Sequence, residues 1–109
     1  MTQPFLFKLI PPRPDFPFTM SDDEQATMLA HIAYWGDLTA SGVTIAYGPV
    51  NGPDGGYGIG IILTDDLAAA EAVRDADPAM RSPHGFRTEI MPMLSLVTSG
   101  ATYDAVAPG

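Results

Sequence analysis

The chain is predicted to be an α+β domain of order β-α-β-β-α-β. Three observations carry this: short apolar runs punctuated by Gly and Pro, two helix-like stretches separated by a hairpin pattern, and a length of 109 residues, which holds one ordinary core and not two. Apolar residues make up 46% of the chain, enough for a globule rather than a disordered segment.

FLFKLI (5–10) reads as a buried strand, short, apolar and aromatic, closed by Pro11-Pro12. The following PPRPDFPFT (11–19) carries four prolines and is expected to be a stiff extended loop. Ser21-Asp22-Asp23-Glu24 then forms a capping-box pattern, with acids placed where a helix dipole favours them. The helix it opens is predicted over about 22–40, with Met28, Ile32 and Trp35 as a tight apolar stripe, Leu29 and Leu38 at its margins and Gly42 as the stop.

VTIAYGPV (43–50) alternates as a half-buried strand does, NGPDGGYG (51–58) is expected to be a hairpin loop longer than two residues, and IGIILT (59–64) returns. LTDDLAAAEAVRDAD reads as a second helix opening at Thr64 or Asp65 and ending by Asp77, because Pro78 disfavours helical geometry before it. FRTEIMPMLSLV (86–97) alternates as a last strand, with Pro92 confined to an edge or to the strand's end. The domain is therefore placed at 1–97, and 98–109 is expected to be a tail of small residues free to move. This order is the ferredoxin-like one, an antiparallel sheet with both helices on one face. Strand residues look apolar on both sides, so a second copy packing sheet against sheet, a homodimer, is the simplest cover for the other face.

Charge and composition exclude several functions. Five Lys and Arg stand against thirteen Asp and Glu, a net charge of −8, which disfavours nucleic acid and anionic membrane surfaces as partners. With no cysteine, thiolate metal sites and cysteine nucleophiles are out. No apolar run approaches a membrane span and the N-terminus lacks a signal-peptide pattern, so a cytoplasmic location is the default. The histidines and acids show no zinc-type spacing, and no metal is expected. The glycine spacing of GGYGIG (55–60) precedes a strand and not a helix, so it offers no phosphate cradle; no cofactor is expected.

His31 falls inside the apolar sector of the first helix, which leaves two readings. It is either a core histidine satisfied by a carbonyl or a proton-transfer group at the edge of a cavity between helix and sheet. Asp77 either merely ends its helix or aims its carboxylate at such a group. Lys8, mid-strand, either snorkels to an edge or presents its ammonium to a cavity, and His84 reads as a surface residue of the Ser82–Gly85 loop.

The run MLAHIAYWGDLTASGVTIAYGPV resembles the YCII-related (YciI-like) domain family: a histidine on the first helix (His31), then Leu38 and Gly42, then a strand closing in Gly48-Pro49. Asp77-Pro78 is similar to that family's Asp-Pro after the second helix, and EIMPM to its final strand; the likeness covers about residues 5 to 97. The resemblance implies a dimeric α+β barrel and a pocket in which His31 and Asp77 meet as an acid/base pair. Candidate substrate contacts are then Lys8, Tyr34, Trp35, Tyr47, Gly48 and Pro49, with Phe7 as a further wall. Two functions follow: a small cofactor-free enzyme doing proton abstraction, elimination or isomerisation on a small organic substrate, or a non-catalytic dimeric binding or accessory module.

Overall fold

A computed structural model describes residues 2–105. β1 (Gln3–Ile10) leads through the Pro-rich segment and a one-turn helix α1 (Phe16–Thr19) to the long helix α2 (Asp22–Ala40). The hairpin of β2 (Thr44–Gly52) and β3 (Gly55–Thr64) follows, then α3 (Leu67–Ala76), the short α4 (Pro78–Arg81) and β4 (Arg87–Pro92). The four strands form one antiparallel sheet in the order β2-β3-β1-β4, the ferredoxin-like arrangement.

Both long helices pack on one face, because the inward residues of the central strands are the large apolar ones. Phe5 and Phe7 of β1 and Ile62 of β3 are buried together with Trp35 of α2 and Ala70 of α3, and Phe7 meets the Trp35 ring edge-on at 5.6 Å. A second buried group, Leu9, Phe16, Ala79 and Phe86, with Met28 packed against it, closes the end of the sheet nearest the start of α2.

Several elements depart from the sequence reading. The Pro-rich segment is not extended throughout: Pro17 stands in the first turn of α1, where its missing N–H would be unpaired anyway, and buried Phe16 anchors that turn against Phe86 at 5.2 Å. The hairpin loop is only Pro53-Asp54, since Gly52 and Gly55 already pair; positive φ at Gly55 makes the tight return possible. α3 opens at Leu67, two to three residues later than the expected Thr64 or Asp65, because Asp66 is its cap, accepting from the Ala69 N–H at 2.8 Å. The last strand breaks after Pro92, and the chain re-forms as β5 (Ser95–Val97), paired with β6 (Thr102–Asp104) from the expected tail. Thr98 closes that hairpin by accepting from Ala101 N–H through its side chain while its own N–H bonds the Ala101 carbonyl. Residues 106–109 of the tail lie outside the described residues.

The capping box of α2 forms as read: the Ser21 hydroxyl accepts from Glu24 N–H and the Glu24 carboxylate from Ser21 N–H. The apolar face is rotated from its expected centre, however. Glu24, Met28, His31, Trp35 and Leu38 turn inward, whereas Ile32 is half-exposed and Leu29 largely exposed. His31 thus stands near the middle of the inward face and not on its flank. Glu24 is accommodated on that face by Arg13, which leaves the Pro-rich segment to grip it with two parallel bonds of 2.7 and 2.8 Å.

Candidate functional site

Asp77 is 3% exposed, and its extended backbone (φ −65°, ψ 127°), the geometry that a following proline favours, makes it at once the end of α3 and the start of α4. Its side chain caps α4, accepting from the Ala79 N–H at 2.9 Å. The same carboxylate meets His31 Nδ1 at 2.8 and 2.9 Å and accepts from the Trp35 indole N–H at 2.8 Å. A carboxylate can only accept, so His31 donates from Nδ1 and its neutral ring keeps the lone pair on Nε2. Three donors from two elements therefore converge on one buried carboxylate, which satisfies it and locks the His31 and Trp35 rings.

His31, Trp35 and Asp77 line a cavity of about 250 Å³ between α2 and the sheet. Tyr47, Gly48 and Pro49 line it as well, as does Phe7. Pro11, Phe16, Pro17 and Met20 form one side, so the Pro-rich segment becomes a wall. The surroundings are apolar apart from His31, Asp77, Arg74, Thr88 and the tyrosines Tyr47 and Tyr57. Arg74 is committed elsewhere, bonding Asp75 at 2.9 Å with Glu71 at 3.7 Å, and those carboxylates hold its guanidinium protonated. The pair's own free polar atom is then His31 Nε2, to which no described residue is bonded.

Two of the expected contacts lie elsewhere. Lys8 is on the helix-free face, its ammonium 4.6 Å from the centre of the Tyr57 ring, because even-numbered residues of β1 point away from the helices there. Tyr34 does not line the cavity; it ties α2 to α3 by donating to the Val73 carbonyl at 2.7 Å, and burial, then the charge of Asp77, pushes its phenol pKa up. His84 meets the Thr27 hydroxyl at 3.0 Å and Arg81 is exposed; neither lines the cavity. Among the described residues no three His, Asp or Glu side chains are grouped as a metal ion would require.

The sequence reading missed the Trp35–Asp77 bond. The signal was present in the spacing, since Trp35 is four residues after His31 and so on the same helix face; an acceptor that reaches one ring is within reach of the other. It also missed the role of the glycines in β3. Gly56, Gly58 and Gly60 alternate on the cavity side, and a Cβ at Gly60 would collide with the Trp35 ring. The strand is bare there so that the indole can lie against its backbone.

The model of the YCII-related domain matches residues 7–94. No curated protein and no solved structure matches the chain.

Proposed function

The chain belongs to the YCII-related family, and from that premise we propose that it is a small cofactor-free enzyme in which His31 moves a proton on a small, largely apolar organic substrate. The observation that supports this best is the orientation of the pair. Nδ1 is held by a buried carboxylate while Nε2 is left to an apolar cavity. In this reading the Nε2 lone pair takes a proton from an activated C–H, and the carbon's electron pair passes into a neighbouring carbonyl or expels a leaving group. Return of the proton to another carbon completes an isomerisation. Asp77 stabilises the imidazolium formed in between, and Trp35 holds Asp77 in place. Such help contributes ~10²–10⁴-fold, adequate for an activated substrate.

One feature favours a second reading, a ligand-binding module without turnover: the donors of Thr88, Tyr47 and Arg74 in the cavity lining are already engaged, by Met80 Sδ, the Ile32 carbonyl and the Asp75 carboxylate, and so are not set aside for a developing oxyanion. Exchange of carbon-bound hydrogen for deuterium in D₂O, followed by NMR over a panel of small cyclic ketones, lactones and hydroxylated aromatics, separates the two. Exchange by the wild type and none by His31→Gln, with binding retained, supports catalysis. Binding without exchange in the wild type supports the module.

The reading includes a homodimer. On the helix-free face Ala46, Ile61, Leu6 and Met91 stand in one cross-strand row, an apolar stripe suited to a second sheet. Sedimentation should give a dimer for the wild type and a monomer for Ile61→Asp; a monomeric wild type removes this part of the proposal.

A further inference from the structure

We propose that Gly58 is the specificity-determining residue of the cavity, setting its depth by having no side chain. This rests on the reading of the cavity as the substrate site. Across the sheet on the helix side, the register puts Tyr47, Gly60 and Phe7 in one row, and Pro49, Gly58, Leu9 and Thr88 in the next. All of these line the cavity.

The three inward glycines of β3 are not equivalent. The space above Gly60 is filled by the Trp35 ring, and a Cβ at Gly56 would come within 2.6 Å of the Pro17 ring. At Gly58 an added Cβ would meet only Leu9 Cβ, at 3.6 Å, an ordinary contact. Beyond Leu9 and its chain neighbours, no described residue lies within 4 Å of that Cβ. Two of the glycines therefore make way for protein and the third makes way for the cavity. His31 lies one turn before Trp35 on the same face of α2, between the row that Trp35 covers and the Leu9–Phe16 cluster against which Met28 packs. His31 and the open row of Gly58 thus face the same cavity.

The chemistry of the ligand that fits there is restricted. Among the described residues no uncommitted cation lines the cavity, so a strongly anionic ligand gains nothing to offset its desolvation. A flat, uncharged ring laid on the exposed peptide backbone of Gly58, with one hydroxyl or carbonyl toward His31, matches the apolar walls and the free Nε2 together. A cavity of about 150 Å³ already holds benzene; the 250 Å³ here has room for a larger ring system.

Phenol and 2-naphthol serve as one-ring and two-ring probes, titrated against the Trp35 indole N–H resonance in wild type, Gly58→Ala and Gly58→Val. Gly58 has no positive φ, so both variants can adopt its backbone, and β-branched Val suits a strand. The expected result is that both probes bind the wild type and that 2-naphthol weakens at least ~10-fold in Gly58→Val, the scale of a misfitted methylene or more. Phenol should weaken less, Gly58→Ala should be intermediate, and thermal stability should not fall. Equal 2-naphthol binding in wild type and both variants overturns the role of Gly58 and leaves the cavity reading intact. Failure of both probes to bind the wild type at millimolar concentration overturns the cavity reading and this inference with it. Should Gly58→Val not fold, Gly58→Ala decides the matter by the same comparison.

Discussion

Replacing Asp77 by Asn tests the centre of this structure, because Asn preserves shape and removes one acceptor. The carboxylate receives Trp35 Nε1–H on Oδ2, Ala79 N–H on Oδ1, and His31 Nδ1–H between the two. An amide offers one carbonyl oxygen and one NH₂. If the oxygen faces Ala79 and His31, the NH₂ opposes the indole N–H; turned over, it opposes the Ala79 N–H. Either way one buried donor faces another donor, at a cost of ~1–3 kcal/mol. The surviving bonds lose their charge assistance, about 1 kcal/mol each. Relief of a buried charge offsets part of this. The expected net loss is about 3 kcal/mol, a large share of the roughly 5–15 kcal/mol typical of a small domain.

Urea denaturation followed by circular dichroism measures it, and a double-mutant cycle with Trp35→Phe locates it. With the indole N–H gone, the introduced amide can turn its NH₂ toward the vacated side and keep its oxygen for the other two donors. The penalty of Asp77→Asn should then fall by about 1–3 kcal/mol. A loss below ~1 kcal/mol, or an equal loss in both backgrounds, would refute the claim that three donors share this carboxylate.

Nitrogen chemical shifts of neutral His31 should report the Nδ1–H tautomer, with a mixed or reversed tautomer in Asp77→Ala; an Nε2–H tautomer in the wild type would contradict the proposed base. The Arg13–Glu24 pair should show in acid. Hydrogen bonds from Arg13 and then from the Ser21 N–H lower the Glu24 pKa from 4.5 to about 2. A depressed carboxylate pKa contributes stability fully above the unfolded value and loses it as pH falls through the folded one, here from 4.5 toward about 2. Arg13→Gln should therefore flatten the acid limb of a plot of stability against pH; an unchanged limb would show that the pair does not hold the Pro-rich wall to α2. Gly60→Ala drives a methyl into the Trp35 ring, which the Asp77 bond holds in place, and should cost ~1–3 kcal/mol in denaturation. A change within ~0.5 kcal/mol would mean the indole can move aside.

Local chemistry made the element order readable. The capping box at Ser21, the stop at Gly42, the hairpin glycines and the Asp77-Pro78 break act within a few residues of themselves, so the sequence alone determined the βαββαβ order and the bounds of α2. The short range of those rules also explains the errors. The one-turn helix α1 depends on Phe16 finding Phe86, far along the chain, and β6 exists because Ser95–Val97 offers it a partner. Phe86 is not visible from the segment around Phe16, whereas the partner of β6 is only a few residues away and went unread because 98–109 shows no clear alternation. The candidate pair was legible only as two residue types in suggestive places. That His31 lies mid-face and not on a margin was decided by how α2 packs on the sheet through Trp35, against residues of β1, β3 and α3. Which glycine is empty was likewise fixed by what packs over each: an indole, a proline ring, or nothing. A sequence carries the propensities of its own neighbourhood, whereas convergence on Asp77 and the void over Gly58 are properties of groups brought together by folding, and only the tertiary structure could decide them.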